Sequence, residues 1–240
     1  ETFSAFVFKI QANMNKAHRD RIAFMRVVSG RFDADKEVYH MQGGKKVRLS
    51  RPQQMMAAER EIVEEAFAGD ILGVFDPGVF AIGDSLCTPS KKITFDPIPT
   101  FSPEHFQRVR SLDTMKRKQF LKGMEQIAQE GGIQIFKTPY SGMEEVIVGV
   151  VGTLQFDVLE YRLRSEYNVE IYKESLPYQL LRWIVPQEGA PPIKEDEIIL
   201  PNDCKLVEDY RENQLILFAS QWSIGWVTDK NQGIELSEYH

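Results

Sequence analysis

Lys45, Lys46, Arg48 and Arg51 follow directly on the pair Gly43-Gly44. Glycines running into lysine invite comparison with a phosphate-cradling loop, which needs closely spaced glycines after a strand and a Lys-Ser/Thr entering a helix. This stretch has the wrong spacing, lacks the hydroxyl residue that holds magnesium, and leads into a strand pattern. It reads as a hairpin turn. The histidines, His18, His40, His105 and His240, are scattered, and none sits at i, i+4 from another, so no zinc spacing is present. Cys87 and Cys204 lie far apart without a CxxC. Gly83-Asp84-Ser85-Leu86-Cys87 falls short of the Gly-x-Ser-x-Gly nucleophile elbow, with no partner histidine placed by sequence. Neighbouring carboxylates such as Glu64-Glu65 and Glu144-Glu145 point to opposite faces of a strand. Asp157 and Glu160, one helical turn apart, read as a surface pair. The sequence assigns no catalytic, cofactor-binding or metal residue.

What remains is binding. Several cations project beside the Gly43-Gly44 turn, and His18, Arg19 and Arg21 add to them from a neighbouring stretch. Lys116, Arg117, Lys118 and Lys122 form a second group further along. Backbone phosphates of a folded RNA suit such clusters. No aromatic pair of the RNA-recognition-motif type and no KH-type loop is present, so base-specific reading is not indicated. Solubilising charge is the alternative, and it stays open. Net charge is −6, but residues 9–51 carry 11 Lys/Arg against 4 Asp/Glu, and residues 186–240 carry 4 against 11. Either a basic face on an acidic body or chance clustering accounts for this asymmetry.

The elements that position these groups change character along the chain. With 240 residues, 42% hydrophobic and 27% charged, the composition is that of a soluble globular protein of one large or two modest domains. It excludes a disordered, collagen-like or disulfide-stapled chain. No apolar run of membrane-spanning length occurs. Residues 1–30 lack a secretory layout, and the start at Glu1 reads as a processed product or fragment. A cytosolic, reduced protein is the simplest reading, and a monomer is expected.

Residues 6–12 alternate with period two, as do residues 20–29 before Gly30. Further strands are expected at 37–41, 46–51, 61–66, 71–75, 79–82 and 92–95, separated by Gly43-Gly44, Gly69-Asp70, Asp76-Pro77-Gly78 and Gly83-Asp84. Short strands at this spacing indicate a closed antiparallel barrel over 1–98. Three prolines within residues 96–103 mark a stiff connector and a domain boundary.

After the connector the period lengthens. A strand at 104–112 precedes a helix capped by Asp113 and stopped by Gly131-Gly132, with Met115, Phe120, Met124, Ile127 and Ala128 on its apolar stripe. Strands at 133–137 and 145–151, joined by a turn near 141–142, lead to a helix from 153. Its apolar side is expected to hold Leu154, Val158 and Tyr161 with Phe156, Leu159 and Leu163. Asn168 suits a left-handed exit before a strand at 169–174. This order is the ferredoxin-like split βαβ motif over about 104–175. Residues 176–240 extend it with strands near 180–185, 205–209, 214–219 and 234–236, a helix near 221–229, and an acidic, mobile loop at 186–197. The second domain as a whole is 99–240.

The string HRDRIAFMRVVSGRF (18–32), followed by VEEAFAGDILGVFDPGVFAIGDSL (63–86) with Gly69-Asp70 and Gly83-Asp84, resembles the second domain of translational GTPases. The segments KRKQFLKGMEQIAQEGGIQIFKTP (116–139) and VGVVGTLQFDVLEYRLRSEYNVEIYKES (148–175) resemble bacterial class II peptide chain release factors, the release factor three family. An elongation factor would carry a Gly-Glu-Leu-His-like segment where this chain has Gly152-Thr153-Leu154-Gln155-Phe156-Asp157. The resemblance implies a translation-factor β-barrel followed by an α+β domain, without the family's GTPase domain. It implies that this chain holds no cofactor, GTP/GDP and Mg2+ belonging to the GTPase domain. It further implies a ribosome-binding body whose barrel faces small-subunit ribosomal RNA and whose second domain touches a small-subunit protein. In the intact factor this body serves to eject the class I release factor after peptide release. Two other readings stay open: another translational GTPase, such as an elongation or ribosome-protection factor, and a free-standing RNA- or protein-binding adaptor.

Overall fold

The computed structural model describes residues 2–12, 21–34, 36–56, 59–139, 145–186 and 197–238, with residues 12, 50–56, 59–62 and 186 described in backbone only. The chain divides into two compact units: residues up to Ile98 with Gln129–Gly131, and Pro99–Ala128 with the chain from Gly132 onward.

The first unit contains β1 (Ser4–Ala12), β2 (Arg21–Ser29), β3 (Arg31–Asp33), β4 (Val38–His40), β5 (Lys45–Val47), β6 (Ser50–Met56), β7 (Glu59–Ile62), β8 (Glu65–Phe67), β9 (Ile71–Asp76) and β10 (Ser85–Cys87). Eight of these make one antiparallel sheet in the order β5-β4-β10-β1-β2-β9-β6-β7, and β3 pairs with β8 in a separate ribbon. Alternation along β1, β2 and β9 sends Val7, Ala23, Met25, Val27, Leu72 and Val74 to one side, where they form a core with Val38, Phe32 and Leu86. The sheet curls about this core. Among the described residues its ladders run from β5 to β7, giving a curled half-barrel.

Other strand expectations shift for local reasons. The run expected at 46–51 breaks into β5 and β6 because Leu49 turns inward and is buried. The run at 61–66 likewise splits into β7 and β8. Residues 79–82 form a turn instead of a strand. The Asp76 carboxylate accepts the backbone N–H groups of Gly78, Val79 and Phe80 at 2.9, 2.7 and 3.2 Å, and Asp84 accepts that of Ala81 at 2.8 Å. Side-chain acceptors thus take the donors that a ladder would have used. Residues 92–95 join no ladder, and the Phe95 N–H donates to Ser85 Oγ at 2.9 Å.

In the second unit, β11 (His105–Ser111) leads through a 3-10 turn (Thr114–Lys116) to α1 (Arg117–Gln129). Then come β12 (Gln134–Phe136), β13 (Glu145–Val150), α2 (Leu154–Tyr167) and β14 (Ile171–Leu176). Asp113 caps the 3-10 turn by accepting the Met115 N–H. The strand order β12-β13-β11-β14, antiparallel throughout, is ferredoxin-like. Asn168 takes the left-handed conformation after α2, with φ 55°. Both helices cover one sheet face: Phe120, Met124, Ile127, Phe156, Leu159 and Leu163 meet Val109, Val146 and Val148. A Cβ on Gly123 would stand 2.7 Å from Leu163 Cδ2, so this glycine lets the helices approach.

The tail forms β15 (Leu180–Pro186), β16 (Cys204–Glu208), β17 (Gln214–Phe218), α3 (Gln221–Lys230) and β18 (Ile234–Ser237), with sheet order β16-β17-β15-β18. Its Leu181, Trp183, Val207, Leu215 and Leu217 pack on Phe106, Phe136 and Ile147 of the first sheet. Val227 of α3 covers the opposite face at Ile216 and Phe218. The unit is therefore a four-layer stack of helices, sheet, sheet and helix.

Two stripe assignments are corrected. Met115 is 90% exposed, because it precedes α1 on the 3-10 turn. Leu154, Val158 and Tyr161 face solvent at 71%, 49% and 62%, because the sheet side of α2 is already filled by Phe156, Leu159 and Leu163. The expected turn at 141–142, and all of the expected mobile loop except its two ends, lie outside the described residues.

Candidate nucleic-acid interface

The hairpin β4–β5 forms one edge of the eight-stranded sheet, with Val38 opposite Val47, Tyr39 opposite Lys46 and His40 opposite Lys45. Val38 and His40 point into the unit, whereas Tyr39 between them is half-buried. The turn is built on His40. Its Nε2 lies 2.7 Å from Asp84 Oδ2, both groups are buried, and the ring meets Phe80 edge-on. A Cβ on Gly43 would fall 2.4 Å from His40 Nδ1, so only glycine lets the turn close over the imidazole. The Gly44 N–H donates to Met41 O at 3.2 Å, and Gly44 takes φ +61°. Met41 N–H donates to Ser85 O at 3.0 Å and Ser85 N–H to Gln42 Oε1 at 2.8 Å, tying the hairpin to β10. The cations that follow therefore stand on a fixed base.

Lys45, Lys46 and Arg48 are exposed, and among the described residues none of the three has a carboxylate partner. Two other cations of this unit are paired: Arg31 with Asp33 and Glu65, and Lys36 with Asp33. Those contacts hold the Asp33 carboxyl below its ordinary pKa, the Lys36 hydrogen bond contributing most. Arg48 lies one residue past the end of β5. Arg51 is on β6, described in backbone only, and His18 and Arg19 lie outside the described residues. Arg21 is not a projecting cation. It is 5% exposed and paired at 3.3 Å with the buried Asp76 carboxylate, which also organises the turn after β9.

The second cationic group lies on the other unit. Lys116 is half-buried and donates to the Asn168 carbonyl at 2.8 Å, closing the exit of α2. Arg117, Lys118 and Lys122 are exposed on α1. Sequence reasoning missed Tyr39 and Lys92. The Lys92 ammonium sits 4.2 Å from the Tyr39 ring centroid, although the two residues are far apart in sequence. A single aromatic among cations was the available signal, and it carries no weight until the hairpin register is known.

Among the described residues no group of His, Cys, Asp and Glu could hold a metal ion. The Cys204 thiol is pushed up to about 12 by burial and by the neighbouring Asp203 carboxylate, which disarms it as a nucleophile. Ser223 donates to Asp203 at 2.5 Å, and among the described residues no histidine joins them. No described helix is long and apolar enough to cross a membrane.

Residues 95–228 match the family model described as "Class II release factor RF3, C-terminal domain", and residues 2–89 match that of elongation factor G domain 2. Over 232 residues the chain is 53% identical to a peptide chain release factor 3 from Symbiobacterium thermophilum, covering 97% of this chain and 43% of that protein. A peptide chain release factor 3 from Listeria welshimeri is 46% identical over 235 residues, covering 98% and 44%. One from Gloeobacter violaceus is 45% identical over 239 residues, covering 99% and 44%. The chain spans less than half the length of these curated relatives. A crystal structure from Thermus thermophilus shares the fold over 79% of this chain and 30% of its own, with TM-score 0.57 and 20% identity. With more than half of its residues inside the release-factor model, the chain belongs to the class II release factor family, peptide chain release factor 3.

Proposed function

We propose that this chain is the ribosome-docking body of a class II release factor acting in translation termination in the cytoplasm. The unit 1–98 lays its basic edge on phosphates of small-subunit ribosomal RNA, and the unit 99–240 contacts a small-subunit protein. In the intact GTPase this body transmits the movement that releases the class I factor. The chain acts as a monomer and takes no cofactor of its own; GTP, GDP and Mg2+ belong to the family's GTPase domain. The observation that carries the reading is the set of exposed cations Lys45, Lys46 and Arg48, unmatched by carboxylates among the described residues and mounted on a hairpin fixed from beneath by His40 and Asp84. On the second unit the exposed cations Arg117, Lys118 and Lys122 are further candidates.

The test replaces Lys45, Lys46 and Arg48 together by Glu and measures ribosome binding by sedimentation across a salt series. Each exposed change should cost no more than about 0.5 kcal/mol of stability, which circular dichroism checks. Affinity should fall, and the slope of log affinity against log salt should flatten by about two to three if all three touch phosphates, at roughly 0.9 per duplex contact. Unchanged affinity and slope in a folded variant removes this edge from the interface.

A further inference from the structure

We propose that Tyr39, Lys46 and Lys92 form a subsite for one unpaired RNA nucleotide, the base lying on the Tyr39 ring and the phosphate between the two ammonium groups. The proposal rests on the reading of the basic edge as an RNA contact and deepens it. Tyr39 and Lys46 are direct cross-strand partners, so both side chains leave the sheet on the same side. Burial of Val38 and His40 on either side of Tyr39 fixes that side as the outer one. Lys92 arrives from the stretch after β10. There the Lys91 N–H donates to Thr88 O at 3.0 Å, and Thr88 N–H donates to Phe3 O at 3.1 Å. Two segments distant in sequence thus place Lys92 over the Tyr39 ring and Lys46 opposite Tyr39 on the adjacent edge strand, with Lys45 and Lys91 also exposed nearby in sequence.

The Lys92 ammonium over the ring is held by a contact that is weak at an exposed site. A phosphate offers it a stronger, charge-assisted partner. On binding, the ammonium moves to the phosphate and leaves the ring face to the base, which every nucleobase can occupy by stacking. A duplex cannot use the ring, because its bases are already stacked within the helix. The subsite therefore takes a bulged, looped or terminal nucleotide.

Fluorescence anisotropy at low salt tests this, using a labelled oligouridylate about twelve nucleotides long and its duplex with oligoadenylate. The unmodified chain should bind the single strand more tightly than the duplex. Tyr39→Leu should weaken single-strand binding on the order of tenfold, the usual scale for one stacked base, and leave duplex binding unchanged. Tyr39→Phe should retain the preference, and thermal melts confirm that each variant is folded. Lys92→Gln should flatten the single-strand salt slope by roughly 0.7, the value for one phosphate contact. The subsite is overturned by no measurable oligouridylate binding, by a Tyr39→Leu variant that binds like the parent, or by an unchanged slope in Lys92→Gln. The triple Glu variant at Lys45, Lys46 and Arg48 separates the two claims. If it keeps the parent's affinity for both RNAs, the basic-edge reading itself fails. If it loses affinity while Tyr39→Leu does not, only the subsite fails.

Discussion

Val158 and Leu159 are adjacent in sequence and opposite in environment. Leu159 is 1% exposed in the core beneath α2, while Val158 stands out with Leu154 and Tyr161. Leu159→Ala should cost about 2–5 kcal/mol, the range for a buried leucine whose site relaxes only in part. Val158→Ala should stay within roughly 0.5 kcal/mol. Urea denaturation of the two variants measures the difference, and equal losses would mean that the helix is rotated from its described register. At this scale the sequence was only half legible. Apolar type marked both residues, but the burial of one depends on strands β11 and β13, which no local window contains. The same holds for Arg21. Its charge suggested a surface contact, and only the return of the chain at Asp76 shows that it is held inside.

Between elements, Lys173 of β14 links the sheet to α2: its ammonium lies 3.6 Å from Asp157 and 2.5 Å from Glu160. The Lys173 hydrogen bond, outweighing partial burial, holds the Glu160 carboxyl below its ordinary pKa of 4.5. A depressed carboxyl pKa means that the folded state binds fewer protons than the unfolded one. The resulting stability is therefore present above pH 4.5 and is lost as pH falls through the lower folded value. Such a surface contact is worth about 0.2–1 kcal/mol. Lys173→Met should thus be slightly less stable than the parent at about pH 7, and the gap should close toward about pH 3. A gap that stays constant in denaturant melts at both pH values would assign the effect to lost packing. Most elements of this unit were legible, because helices with Asp113 and Asn168 at their ends and strands of alternating residues announce themselves locally. Residues 79–82 were not. Their apolar run looks like a strand, and the Asp76 and Asp84 carboxylates, which divert its N–H donors into turns, act from outside the run.

For the molecule as a whole, the order strand–helix–strand–strand–helix–strand was readable because each element carries its own period, and the ferredoxin-like sheet follows from that order. The strand order of the first sheet was not, since it depends on pairings between strands far apart in sequence. The proposed function follows the same division: the cations that suggest it stand in the sequence, and their placement on the β4–β5 hairpin only in the fold. The Gly43-Gly44-Lys45-Lys46 turn is where the two meet, and it yields the last expectation. A nucleotide-cradling loop needs free backbone N–H groups at the start of a helix, whose dipole favours the phosphates. Here the space under Gly43 is taken by His40, the Gly44 N–H is spent on Met41 O, and the chain continues into β5. The 240-residue chain should therefore give no saturable heat when titrated with a non-hydrolysable GTP analogue and Mg2+, while the same preparation sediments with ribosomes. Stoichiometric binding at micromolar concentration would contradict the assignment of this turn, and with it the division of labour between a docking body and a separate GTPase domain.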